Sequence, residues 1–380
     1  MSKLTPERRR RVPVRQTHLE GEIRERILSC RFGRGTRLPL RTELMREFGA
    51  SSDTVQQAFH RLRLDGFVES RGKQGTFVAG RLPHEHTYGV VFPLQVSSAY
   101  PLYQRMKDQL PSLEARRGIA LLTYEQVSAD CSRPDWQRLS RDVRHGRLGG
   151  LLLACPPGFV DQGALFATAQ RPPLVAVMST PGSDGMPAVW FDYDAFLRLA
   201  LEAAAGAGRK RVAILNGSFR PDFATQKGFV ARTKRLGLAV KPWWTPGLTL
   251  KDDLAARSCL RLLLHPDQTT RPNALIVTDD SLIEPAITGI LEAGLKVPED
   301  LLLIGQSNFP EGRAGALPVT RIGFDTGRLL DTCLDLLGQQ GRGESVPGYS
   351  LIPAQREPEH RGTGFQPVSL TKTGWKPVPQ

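Results

Sequence analysis

Cysteine is scarce in this chain. Five thiols (Cys30, Cys131, Cys155, Cys259 and Cys333) are spread over 380 residues. The number is odd and no C-x-x-C pair occurs, so neither a zinc site nor a disulfide framework is indicated, and all five read as ordinary buried thiols. Histidine is thin as well, with seven in all. His84, His86, His145 and His265 are scattered and mostly in loop-like sequence, which speaks against a metal-binding helical receptor; His84-x-His86 reads as exposed linker. No apolar run approaches the ~18 residues of a membrane helix. The basic N-terminus is not followed by the apolar stretch of a secretory signal. No Ser-His-Asp set or carboxylate pair stands out, which leaves hydrolytic chemistry without candidates. Together these absences predict a reduced, cytoplasmic, non-membrane protein with no cofactor, no metal and no catalytic residues.

What the chain has in excess is positive charge, 51 Lys and Arg against 38 Asp and Glu, a net +13. Residues 1–81 hold 18 basic and 9 acidic residues, a net +9, whereas the other 299 hold 33 and 29, a net +4. Charge concentrated on one fifth of the chain is the footprint of phosphate contact. The 40% apolar and 23% charged residues are ordinary for globular domains, and the length allows two or three of them.

The organising stretch is Leu38 to Val78. Leu40, Leu44 and Phe48 recur at spacing four, one apolar helix face, and Gly49 ends that helix. Ser51 or Ser52 caps a second helix that buries Val55, Ala58, Phe59 and Leu62. Asp65-Gly66 stops it. A strand opening at Phe67-Val68, a tip at Arg71 to Gly75 and a return at Thr76 to Val78 complete a winged helix-turn-helix. An earlier helix, Thr17 to Arg31, supplies Leu19, Ile23, Ile27 and Cys30 beneath it. The motif predicts that the second helix enters a major groove.

On Leu38-Pro39, Glu43-Leu44, the Gly49 turn, Thr54-Val55, Ala58, Leu62 with Asp65-Gly66, and Gly75-Thr76-Phe77-Val78, residues 16–79 resemble the GntR family of bacterial transcription regulators. The resemblance implies DNA contacts from Arg41, Thr42, Ser51, Ser52, Asp53, Thr54, Gln56, Gln57, Lys73, Gln74, Gly75 and Thr76. Arginines usual in the family are replaced on the recognition helix by Ser52 and Gln56, and on the preceding helix by Thr42. Gln56 and Gln57 suit adenine edges. Asp53 either accepts from a cytosine amino group or caps its own helix.

The texture changes after a short linker, residues 80–86. TYGVVFPL, GIALLTY, LGGLLLAC and PLVAVM are strand-length apolar runs, separated by helical patterns near 101–117, 134–146 and 161–170, with Pro111 expected to kink or shorten the first. Short runs buried on both faces are the mark of parallel strands in a βαβ array. A second set follows from about Ala188: helix Ala195 to Ala207, strand RVAILNG, helix Phe223 to Leu236, strand Leu238 to Lys241, a helix at 251–264, NALIVTDD, helix Ser281 to Ala293, and LLLIGQS. VTRIGFD, a helix from Asp325 to Leu337, and SLIP close the array. The expected class is α/β: a winged helix-turn-helix followed by two doubly wound parallel-sheet lobes. The lobes are placed at 87–190 with 322–347, and at 191–321 with 348–357. Residues 1–15 read as a basic arm and 358–380, with TGFQPV recurring as TGWKPV, as a disordered tail.

GRKRVAILNG, ATQKGF, PNALIVTDDSL, AGLKVPEDLLLIGQSN and VTRIGFD make residues 87–357 similar to the effector domain of the LacI/GalR family. A GntR-type reader on such a domain is an arrangement similar to the arabinose-responsive repressors. The resemblance implies a homodimeric repressor on a two-fold symmetric operator of double-stranded DNA. It also implies a small-molecule effector, a sugar being the expected class, held between the lobes. Candidate contacts are Asp280, Gln306, Asn308 and Asp325 at strand ends, and Trp243 or Trp244. Asp280 instead reads as a helix cap if Asp279 faces the cleft. Thr225 stands where the family commonly has an arginine, and Arg220 is the substitute. The alternative is a GntR-type reader fused to a pyridoxal-phosphate-dependent aminotransferase-like domain, which needs a Schiff-base lysine.

Overall fold

The computed structural model describes residues 16–93, 101–128, 130, 132–155, 162–165, 171–177, 186–217, 229–248, 253–310 and 316–357. The N-terminal unit is built from α1 (Gln16–Leu28), α2 (Arg41–Phe48), α3 (Ser52–Leu64) and the antiparallel pair β1 (Val68–Ser70) and β2 (Thr76–Val78). Leu19, Ile23 and Ile27 of α1 meet Leu44, Val55, Ala58, Leu62, Phe67 and Val78 in one buried cluster. Gly49 turns the chain at φ +63, which a glycine adopts without steric cost, and Ser51 then caps α3 by accepting from the Thr54 amide at 3.1 Å. Two expected core members fall outside. Leu40 precedes the first helical residue and is half exposed, and Cys30 lies beyond the end of α1 in the left-handed region, exposed. Cys155 and Cys333 are buried as expected, whereas Cys259 is only partly covered and Cys131 lies outside the described residues.

The first lobe's sheet holds six parallel strands in the order β13-β7-β6-β5-β3-β4: β3 (Thr87–Pro93), β4 (Ala120–Val127), β5 (Gly150–Leu153), β6 (Leu174–Val177), β7 (Ala188–Phe191) and β13 (Tyr349–Ile352). Between them run α4 (Pro101–Arg117), which keeps its full length through Pro111, then α5 (Pro134–Arg144) and α6 (Gln162–Leu165). The second lobe's order is β14-β12-β11-β10-β8-β9: β8 (Val212–Gly217), β9 (Gly247–Leu248), β10 (Ala274–Val277), β11 (Leu302–Phe309), β12 (Thr320–Asp325) and an antiparallel edge, β14 (Gln355–Arg356). Every residue of β5, β8, β10 and β11 is buried, which is why β5 and β10 read as unbroken apolar runs and why β8 and β11 open on one before their polar ends. Helices α7 (Tyr193–Gly206), α8 (Phe229–Arg235), α9 (Asp253–Leu263) and α10 (Ile283–Glu292) belong to the second half, and α11 (Thr326–Gly341) returns to pack on β5, β6 and β7.

The expected lobe division is corrected at two places. Residues 322–325 pair with β11 and belong to the second lobe, and residues 349–352 pair with β7 and belong to the first. The chain therefore crosses between lobes after Phe191, after Asp325 and after Ile352. At the crossings Phe191 stacks on Phe324, ring centroids 4.3 Å apart, and Tyr193 meets Phe324 edge-on at 5.0 Å. Residues 238–241 form only an isolated bridge, Arg211 with Ala239, rather than a strand. Of the helix expected at 223–236, residues 223–228 lie outside the described residues.

Candidate functional site

The first candidate surface is the outer side of the N-terminal unit. With Val55, Ala58 and Leu62 turned inward, α3 presents Gln56, Gln57, His60 and Arg63 to solvent. These side chains and Arg41 line one wall of a groove of about 350 Å³, with Ser70 and Thr76 of the wing on the other wall and Val68 in the floor. Arg41 donates to Gln56 Oε1 at 3.3 Å, tying the start of α2 to the middle of α3. The groove brings together Arg41, Gln56, Gln57 and Thr76 of the expected contacts. Thr42, Ser51 and Asp53 are exposed, and Ser52 and Thr54 half-buried, around the first turns of α2 and α3. His60 and Arg63, hydrogen-bonded at 3.1 Å, were not anticipated. Their signal was present in the sequence, since Gln56, His60 and Arg63 recur at i, i+4, i+7.

The wing tip is a tight turn, residues 72–74, that exposes Lys73 and Gln74. Gly75 is required there. Its φ is +111, and a Cβ would lie 2.9 Å from Arg37 Nε. Arg71 is engaged locally, paired with Glu69 and seated 4.4 Å over the Phe77 ring.

The second candidate surface lies at the carboxyl ends of the second lobe's strands, where ligands bind in sheets of this kind. Asn308 Nδ2 donates to Asp280 Oδ2 at 2.5 Å, Gln306 Nε2 donates to Asn308 Oδ1 at 3.2 Å, and the Asp280 amide donates to Gln306 Oε1 at 3.1 Å. These three close a ring in which Gln306 and Asn308 are buried. The helix cap is Asp279, which accepts from the Ser281 amide at 3.1 Å and from its hydroxyl at 2.6 Å. Beside the ring, Thr278 Oγ1 lies 3.3 Å from Asn216 Oδ1, and both residues are buried. Asn216 and Thr278 were missed, although each is a polar residue at the end of an apolar strand run. Amides, a hydroxyl and a carboxylate are thus gathered at the strand ends, the group types that orient a small polar ligand, with Asn216, Thr278, Gln306 and Asn308 buried and bonded within the cluster.

The remaining candidates separate. Asp325 caps α11, accepting from the Arg328 amide at 2.9 Å, and lines a different cavity of about 480 Å³. That cavity lies on the crossover side, between Gln109 and Arg116 of α4, Phe309 of β11 and Glu357 beyond β14. Trp244 is buried in the apolar cluster that includes Leu215 and Leu248, an edge-packing residue rather than a cleft-facing one. Trp243 is 65% exposed, with Lys241 Nζ 5.3 Å from its ring. Arg220 and Thr225 lie outside the described residues.

Comparison with known proteins finds two separate segments of the chain. Residues 15–78 match the bacterial regulatory proteins of the gntR family, and residues 201–361 match a periplasmic binding protein-like domain. The chain joins a GntR-type helix-turn-helix to a periplasmic-binding-protein-like domain. It is 27% identical over 194 residues to the HTH-type transcriptional repressor PurR of Histophilus somni (strain 129Pt), covering 50% of this chain and 57% of that one. It is 24% identical over 213 residues to the lactose operon repressor of Escherichia coli (strain K12), covering 54% and 56%. The chain thus spans little more than half the length of these curated relatives. Among solved structures, a regulatory protein of the LacI family from Chloroflexus aggregans matches with TM-score 0.58 at 20% identity, over 72% of this chain and 97% of that one. A LacI transcriptional regulator from a Rhodococcus species matches with TM-score 0.55 at 23% identity, over 72% and 96%. The likeness to the two structures is one of fold. With the second half matched to a binding-protein-like domain, the aminotransferase alternative finds no support.

Proposed function

We propose that the protein is a DNA-binding transcriptional regulator, a repressor, whose grip on its operator is set by a small molecule bound between the two lobes. The observation that carries this reading is the groove between α3 and the wing. It is walled by Arg41, Gln56, Gln57, His60 and Arg63 on the most basic part of the chain, while the opposite face of the same helix is sealed in the core. Gln56 and Gln57 read base edges, and Lys73 at the wing tip meets phosphate. Two readers of a homodimer meet two half-sites of a symmetric operator, about 34 Å apart or a multiple of it.

The effector site is the ring of Asp280, Gln306 and Asn308 with Asn216 and Thr278. A sugar or a molecule with comparable hydroxyls matches its alternation of donors and acceptors. Three crossings and a stacked aromatic bearing, Phe191 on Phe324, support a hinge between the lobes. Closure around the effector changes the relative placement of the two readers, and a coupling of about 1–3 kcal/mol is the usual scale. Residues 80–86 serve as linker, and no helix among the described residues is long and apolar enough to cross a membrane.

Selection of duplexes from a random pool by the full chain tests this. Gln56→Ala is expected to change the selected sequence, whereas Lys73→Ala weakens all sequences alike. Loss of affinity without altered preference in both variants would show that α3 does not read the bases.

A further inference from the structure

The end of the recognition helix is not free. Asp65 stops α3, its amide donating to Arg61 and Arg63 carbonyls. Its carboxylate is held from two sides. Arg24 of α1, itself paired with Glu20, donates to Asp65 Oδ2 at 3.0 Å from within the reader. From the first lobe, His145 Nδ1 lies 3.2 Å from the same oxygen, and Arg147 Nη1 lies 3.6 Å from Oδ1. Arg147 continues inward, donating to Asp142 at 2.7 Å, and the buried Tyr124 of β4 donates to the other Asp142 oxygen at 2.8 Å. An unbroken polar chain therefore runs from the recognition helix to the first lobe's sheet.

The electrostatics explain why cations gather here. Asp65 ends α3 and His145 ends α5, so two helix carboxyl ends, each carrying partial negative charge, face one junction. Glu20, Asp65 and His145 present ligand atoms within 4.8 Å of one another. The Arg24 guanidinium, bonded to both carboxylates, already supplies the positive charge that a metal ion would bring.

The linker is clamped beside it. Leu82 is buried in the reader's core, Arg34 pairs with Glu85, and Arg81 donates to the Gly118 carbonyl at 3.1 Å. His84 and His86, expected to be exposed, are half-buried. At Gly149 a Cβ would sit 2.1 Å from the His84 carbonyl oxygen, so linker and lobe are in backbone contact.

We propose that Asp65 is a positioning residue that locks the reader to the first lobe, so that the reader turns with that lobe and the separation between half-sites is fixed. This rests on the regulator reading for its use but not for its geometry. Among the described residues the second lobe makes none of these contacts, so lobe rotation carries the reader with one lobe and away from the other.

The test uses the full chain with two variants, one on each side of the junction. Asp65→Asn keeps shape and backbone bonds but loses the charge. His145→Ala touches no bond inside the reader. Amide exchange of residues 81–87 is expected to rise about tenfold in both, the order that follows loss of charge-assisted bonds holding a docked unit. Duplex selection is expected to return the wild-type half-site sequence with a broadened spread of half-site separations. Unchanged exchange and unchanged separation in both variants would overturn the proposal. If the wild type selects no sequence at all, the regulator reading fails, and the exchange measurement still decides the junction.

Discussion

Lys73 provides the sharpest prediction about DNA. It sits exposed at the wing tip, and among the described residues no ion pair holds it, whereas two residues earlier Arg71 is neutralised by Glu69 and lies over Phe77. A lysine that neutralises one phosphate contributes about 0.9 to the slope of log K against log salt. Removing it from both readers of a dimer lowers the slope by about 1.8. Over a fourfold change of salt, from about 50 to 200 mM, one such contact per reader accounts for about twelvefold of the dimer's lost affinity. Lys73→Ala is therefore expected to bind more weakly than wild type at low salt and to converge on it at high salt. Arg71→Ala is expected to change the slope by much less, because its charge is already spent on Glu69. Fluorescence anisotropy titrations of a labelled duplex at four salt concentrations measure both. Equal slopes for wild type and Lys73→Ala would refute the placement of the wing on phosphate.

Three further outcomes follow from the packing. Phe324→Ala removes a fully buried ring from the crossover stack, and a loss of about 3–5 kcal/mol is expected in urea unfolding; a loss below about 1 kcal/mol would show that the bearing is not packed as described. Gly149→Ala forces a methyl against the His84 carbonyl and is expected to destabilise the chain by about 1–3 kcal/mol, read by thermal unfolding, with faster exchange in the linker. Burial pushes the Asp65 carboxyl up, but the hydrogen bond from His145 and the charges of Arg147 and Arg24 outweigh it and hold it below the usual carboxylate range. The stability it adds, with Glu20 and Asp142 as the neighbouring carboxylates, is fully present above about pH 3.9, where the unfolded group is ionised, and is lost as pH falls through the lower folded value. The difference between wild type and Asp65→Asn in acid unfolding is expected to vanish below that point and to persist above it.

The N-terminal unit could be read closely because its signals are local: an i, i+4 apolar face, a left-handed glycine at Gly49, and a serine cap at Ser51. The inner strands of both lobes were legible because burial on both faces leaves apolar runs. Lobe membership was not, since whether residues 322–325 or 349–352 join one sheet or the other depends on pairing with β11 and β7, far away in sequence. β9 and β14, two residues each at sheet edges, carry too little apolar pattern to be seen. Strand-end reasoning singled out Asp280, Gln306 and Asn308, which the structure brings into one hydrogen-bonded ring, but could not tell which indole of Trp243-Trp244 turns inward. The Asp65 junction joins residues 80 positions apart, and no spacing rule reaches that far.

The central claim is that a DNA reader and a hinged receptor act on each other. The most direct measurement is operator affinity of the full chain, on a duplex it has selected itself, titrated against a panel of sugars and other polar metabolites. One small molecule is expected to shift that affinity by about 5–150-fold, and Asp280→Ala is expected to abolish the shift without changing the affinity measured in its absence. A chain that ignores duplex DNA at low salt, with and without every metabolite in the panel, would contradict the account.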